Sequence, residues 1–150
     1  MIIRDFTESD RAEYVAMSHA FYESSAVVHP VPETFFLRTF DQVLAKNPLM
    51  RGLILEHEGA RAGFGHISLT WSNEAGGMVV LLEELYIKPE FRNLKLGTQY
   101  LTAIIDEYRN RACRFRLEVS ESNEDARRLY ARLGFEHLDY LQMIIETPID

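Results

Sequence analysis

With one cysteine, Cys113, the chain cannot close an internal disulfide. That fits a reducing compartment and leads to the expectation of a cytoplasmic protein. Cys113 falls late in a helical pattern, where a small buried side chain accounts for it better than a nucleophile. No apolar run approaches the roughly eighteen residues of a membrane span. The opening MIIRDFTESD has an early arginine but no apolar h-region and no cleavage site, so no signal peptide is read there. Lysine and arginine number 16 against 23 acidic residues, a formal charge of −7. With no basic block, neither nucleic acid nor a membrane is an expected partner, and an acidic surface weakly favours a cationic one.

Other signatures are missing as well. His19, His29, His57, His66 and His137 show no paired metal-ligand spacing, so no metal is expected, and His66 reads as a satisfied strand histidine. There is no Gly-x-Ser-x-Gly elbow and no glycine-rich loop ending in Gly-Lys-Ser/Thr. Repeats, low-complexity tracts and linkers are also absent. Residues 1–150 therefore read as one domain, long enough to bury roughly two-thirds of its unfolded surface.

What is present alternates between strand and helix patterns. IIRDF reads as a first strand. Asp10 looks like an N-cap, with Ala12, Val15, Ala16, His19 and Tyr22 on one helical stripe. After the break AVVHPVPE, Pro32 suits the first turn of a second helix, whose Phe36, Phe40, Val43 and Leu44 share a face. RGLILEH and RAGFGHISLTW flank a Glu58-Gly59 turn and predict a hairpin, in which Gly63 and Gly65 would permit close backbone approach. GGMVVLLEELYIKP is too continuously apolar for a surface strand and belongs at the sheet centre. A helix follows with Leu101, Ile104, Ile105 and Tyr108 on one face; then come the strand RFRLEV, a short helix, and YLQMIIE as a closing strand. The order predicts a mixed α/β sandwich around one sheet.

Three stretches carry groups suited to chemistry. The loop after Pro89 opens into a helix N-terminus with Arg92, Lys95 and Gly97 in it. Unpaired amides and a positive dipole end make that an anion site, although many α/β domains have such a turn without binding phosphate. Glu83 and Glu84 lie inside the apolar strand. Neighbours on a strand point to opposite faces unless a bulge intervenes, and a carboxylate among apolar residues tends toward a raised pKa. Finally, in SESNEDARRLYARLGFE, Ser122 or Asn123 caps a helix whose apolar stripe is Ala126, Leu129, Tyr130 and Leu133. Gly134 fits a left-handed C-cap. Packing explains every residue there except the Tyr130 hydroxyl, which needs a partner if buried.

Taken in order, EELYIKPEFRNLKLGTQYL and then LEVSESNEDARRLYARLGFE resemble the GNAT superfamily of acyl-CoA-dependent N-acetyltransferases over essentially the whole chain. The resemblance implies a central mixed, mostly antiparallel sheet of six or seven strands with about four helices on its two faces. It implies acetyl-CoA as acyl donor and a primary amine as acceptor. Residues Arg92, Asn93, Leu94, Lys95, Leu96, Gly97 and Thr98 would hold the pyrophosphate. Backbone amides of Leu85, Tyr86 and Ile87 would polarise the thioester, and Asn123 would touch the cofactor arm or hold the helix start. Tyr130 would protonate the departing thiolate, and Glu83 or Glu84 would take the amine proton, with a lean to Glu83. Lys95 departs from the family pattern, which has a small residue at that position. A looser similarity, in LTWSNEAGGMVVLLEELYI, is to diamine and polyamine acetyltransferases. Homodimers are common in the superfamily, so a homodimer is expected, with no surface assigned. Two alternatives stay open: acetylation of a protein N-terminus or lysine, and a non-catalytic acyl-CoA-binding module.

Overall fold

The computed structural model describes residues 1–147 and 149. Its sheet has five strands in the spatial order of the chain: β1 (Ile2–Asp5), β2 (Met50–His57), β3 (Ala60–Ser72), β4 (Gly77–Ile87) and β5 (Arg114–Leu117). The first four are antiparallel to their neighbours, and β5 runs parallel to β4. Parallel pairing requires a crossover, and α3 (Leu96–Tyr108) supplies it. Helices α1 (Arg11–Tyr22) and α2 (Glu33–Leu44) cover one face of the sheet; α3 and α4 (Glu124–Arg132) cover the other.

Each face has its own core. Phe6, Tyr14, Phe21, Phe36, Phe40 and Phe64 form an aromatic cluster under α1 and α2. Leu53, Leu55, Ile67, Val80 and Leu82 meet Tyr100, Leu101, Ile104 and Tyr108 under α3. Phe40 has no accessible surface, and truncating such a residue to alanine costs about 3–5 kcal/mol. Helix α3 lies close to the sheet because Gly65 has no side chain. A Cβ there would sit 2.2 Å from the Tyr100 ring. The β2–β3 turn places Glu58 at φ 51° and Gly59 at φ 81°, the double positive φ of a type I′ hairpin.

Four sequence expectations are corrected. Helix α1 buries Tyr14, Met17, Ser18 and Phe21 rather than the Ala12–Val15–His19 stripe. Turning the helix this way hides three large apolar side chains in place of two alanines, and area decides the orientation. Asp10 makes no side-chain cap to α1. Instead it is fully buried and accepts bonds from Arg4, Arg61 and Thr7. Burial alone would push its carboxyl up, but these donors outweigh it and hold it well below the usual carboxylate range. Cys113 is exposed, between α3 and β5. The fourth concerns YLQMIIE, which forms no strand, so the sheet has five strands rather than six or seven. Both outer edges of the sheet, at β1 and β5, stay open. This segment touches the rest of the protein through Tyr140, whose hydroxyl donates to Glu74 at 2.8 Å, while Leu141, Met143 and Ile145 are each more than 90% exposed.

Candidate active site

The β3–β4 ladder pairs His66 with Glu84 and then Ile67 with Leu82, so β4 carries one extra residue. That bulge changes which way its glutamates face. Val80, Leu82, Leu85 and Ile87 pack toward α3, whereas Tyr86 packs toward α1 and α2. Glu83 and Glu84 fall together between Leu82 and Leu85, and both lie on the α1/α2 face. Their partners agree: Ser68 donates to Glu83 at 2.6 Å, and Tyr22 of α1 donates to Glu84 Oε1 at 2.5 Å. Strict alternation would have separated the two carboxylates.

Glu83 is exposed and Glu84 half-buried. Burial raises the Glu84 carboxyl above its ordinary value. The Tyr22 hydrogen bond pulls the other way, and the Glu83 charge adds to the rise. The Tyr22 hydroxyl is itself pushed up, by burial first and by the Glu84 charge second. His66, opposite Glu84 in the ladder, is pushed down to about 4 by burial, and its Nε2 is buried without a protein partner. The expectation of a satisfied strand histidine is therefore overturned.

On the other face, the segment between β4 and α3 forms an amide cradle. Asn93 and Lys95 adopt left-handed backbone, at φ 65° and 59°. Among the described residues, no hydrogen bond is made by the amides of 93–98; the first amide of α3 with a partner is Gln99, bonded to Lys95 O. Consecutive free amides at a helix N-terminus attract an anion. Arg92 and Lys95 are both exposed beside them. Gly97 does not supply unusual backbone geometry, since the positive φ lies at its neighbours. A Cβ at 97 would come 3.5 Å from Leu129 and 3.6 Å from Leu85, so the N-terminus of α3, helix α4 and strand β4 converge there.

Tyr130 follows Leu129 on α4 and packs against the core of the α3 face. Asn123 caps the helix by accepting from Ala126 N at 3.3 Å, so it holds the helix start. At the other end, Phe135 N bonds Tyr130 O and Gly134 N bonds Ala131 O, with Gly134 at φ 90°. These two bonds are a Schellman cap. The Tyr130 ring is half-buried, 5.9 Å from Phe135. Burial raises its hydroxyl pKa, yet the hydroxyl makes no hydrogen bond within the described protein.

β4 and β5 are paired from Val79–Arg114 to Leu82–Leu117 and no farther. From Glu83 onward the two strands part, and Leu85, Tyr86 and Ile87 border the opening. The carboxylates lie on one face of the sheet, and the cradle and Tyr130 lie on the other. Sequence reasoning missed Tyr22, Ser18 and Ser68. Tyr14, Ser18 and Tyr22 recur at i, i+4 and i+8, a hydroxyl stripe that was there to be found. A groove of about 570 Å³, bordered by Asp5, Val43, Arg51 and Tyr108, contains none of these residues.

Comparison with known proteins gives a consistent result. The sequence profile of the Acetyltransferase (GNAT) family matches residues 11–135. A thialysine N-epsilon-acetyltransferase of Mus musculus is 28% identical over 148 residues, covering 91% of this chain and 84% of that protein. An aminoglycoside N-acetyltransferase solved with CoA superposes with a TM-score of 0.78 at 18% identity, covering 97% of this chain and 93% of the other. An acetyltransferase from Clostridium acetobutylicum, solved with acetyl-CoA, gives 0.75 at 19%, covering 95% of each. The chain belongs to the acetyltransferase (GNAT) family and is an acetyl-CoA-dependent N-acetyltransferase.

Proposed function

We propose that the acceptor is the primary amine of a small cationic molecule such as a diamine or polyamine. The observation that carries this reading is the β4 bulge, which sets two carboxylates side by side at the mouth of the β4–β5 opening. Paired negative charge suits an acceptor with more than one ammonium group. Relatives named for acetylating thialysine at an N-epsilon position are consistent with an amine at the end of an alkyl chain.

An alkyl ammonium with a pKa near 10 is free base in only about one molecule per thousand at pH 7. A proton must therefore leave before nitrogen attacks. Sequence similarity leaned to Glu83 as acceptor, but the raised basicity and the fixing bond to Tyr22 favour Glu84. Glu83, exposed and tied to Ser68, adds attraction for the ammonium. The amine nitrogen bonds the acetyl carbon and the carbon–sulfur bond breaks. Amides of residues 85–87 stabilise the developing oxyanion. The amides of 93–98, with Arg92 and Lys95, hold the pyrophosphate. The nitrogen sheds its second proton to solvent as the amide forms, while Tyr130 gives its hydroxyl proton to the thiolate and regains one from solvent.

The reading includes a homodimer. Leu138, Tyr140, Leu141, Met143, Ile144 and Ile145 leave a large apolar surface uncovered. The outer edge of β5 is also unpaired. Arg114 and Arg116 lie along that edge, and Glu136, Asp139 and Glu146 flank the apolar segment. A second copy of the chain covers both surfaces.

Thiol release from acetyl-CoA, measured against diamines, polyamines, thialysine and lysine-bearing peptides, tests the acceptor. Turnover of the small diamines supports the proposal. Turnover of peptides alone would replace it with protein acetylation, and acetyl-CoA binding without any turnover would reduce the chain to a binding module.

A further inference from the structure

Three buried side-chain polar atoms lack a partner among the described residues: Ser18 Oγ, His66 Nε2 and Tyr100 Oη. The first two belong to one place. Tyr22 is bonded to Glu84, and Tyr14 sets its ring edge-on against Phe64 with centroids 5.1 Å apart. Ser18 lies one turn from each, on the same buried side of α1. His66 stands across the ladder from Glu84, two residues beyond Phe64 on the same face. Unpaired buried polar atoms cost folding free energy, and their concentration around one carboxylate asks for a ligand that completes them.

The chemistry of the vacant bonding positions identifies the partner. Glu84 Oε1 is occupied by Tyr22, while Oε2 makes no bond to the described protein. Burial holds the imidazole uncharged at neutral pH, so one ring nitrogen carries a lone pair. A primary ammonium offers three N–H donors in a tripod, more than one carboxylate oxygen accepts.

We propose that His66 is a further acceptor-binding residue: through Nε2 it accepts a hydrogen bond from the incoming amine and turns another N–H toward Glu84. This rests on the amine-acceptor reading above. The role is recognition and aim, and the proton still goes to Glu84.

The test uses the full chain with CoA or acetyl-CoA and thialysine or a diamine as probe. His66→Leu removes the lone pair, and His66→Gln restores an acceptor of similar reach. Leu is expected to raise KM for the amine by about 10–100-fold, the loss of one hydrogen bond to a charged group. Acetyl-CoA affinity stays the same, and Tm is unchanged or higher because an unpaired buried atom is gone. Gln recovers most of the loss. An unchanged amine KM in the Leu variant would overturn the proposal. So would a fall in Tm and activity together that Gln does not rescue, because that is the pattern of a packing residue. Nitrogen-15 spectra of the wild-type imidazole provide a readout that does not need turnover. A shift of Nε2 on adding amine supports His66 as a ligand, and an unmoved resonance with amine bound excludes it. A chain that binds none of the amines sinks the acceptor reading itself, and with it this one.

Discussion

Tyr22 and Glu84, 62 residues apart, are joined by a 2.5 Å hydrogen bond from the end of helix α1 to the bulged centre of β4. The bond stabilises the charged carboxylate and so opposes the rise caused by burial. Tyr22→Phe is expected to move the acidic limb of the kcat/KM profile to higher pH, because Glu84 then holds its proton longer. A pH–rate profile measures it, and an unmoved limb would remove Glu84 from the role of base. Stability responds as well. A carboxyl raised on folding binds more protons in the native state, so stability falls as pH climbs from about 4.3 to the raised value, then levels off.

Tyr130, packed against the α3-face core, offers a hydroxyl with no partner among the described residues. Tyr130→Phe is expected to lower turnover by roughly 10–1000-fold, the span of general-acid contributions. Acetyl-CoA affinity should hardly change, as calorimetric titration would show. Undiminished turnover would return the side chain to packing alone.

Lys95 caps α3 in left-handed backbone, φ 59°. That conformation costs a non-glycine residue about 1–2 kcal/mol, part of which glycine gives back in unfolded-chain entropy. Lys95→Gly is therefore expected to raise Tm by a few degrees. If the lysine charge contributes to holding the pyrophosphate, the same variant weakens acetyl-CoA binding, and calorimetry separates the two effects.

Tyr100 lies flat over Gly65 with its hydroxyl buried and unpaired. Tyr100→Phe removes that hydroxyl without leaving a hole and should be neutral or stabilising by up to about 1 kcal/mol in denaturant titration. Gly65→Ala drives a methyl into the ring and should destabilise by about 1–3 kcal/mol or more.

The apolar segment after α4 is the basis of the expected homodimer. Removing residues 138–150 should yield a monomer by light scattering with the thermal transition retained, since the described residues 141–145 lie largely exposed. A full-length monomer at high concentration, or a dimer indifferent to the truncation, would refute that interface.

Much of this was legible in advance because short-range rules govern it. The Glu58-Gly59 turn and the Gly134 stop depend on a few adjacent residues and formed as read; of the two cap candidates, Ser122 and Asn123, the helix uses Asn123. The approach of α4 to the start of α3, Leu129 against Gly97, fits the motif order that the family resemblance rests on. Less visible were features that depend on partners distant in sequence. The α1 face was misjudged because two alanines and a valine carry less area than Tyr14, Met17 and Phe21. His66 looked satisfied because periodicity says nothing about where Nε2 finds a partner. YLQMIIE has a strand's composition, yet it pairs with neither open edge of the sheet, and composition does not say whether a segment joins one.

Deleting one of the two glutamates would leave β4 with perfect alternation: Leu82 inward toward α3, one carboxylate outward, Leu85 inward again. Neither apolar core would lose a side chain. The extra residue is thus a variable added to the strand without involving the scaffold. A lineage can gain or lose the second charge through a single codon while the fold persists. In this architecture the number of carboxylates on this face of β4 is set by how many residues the strand contains.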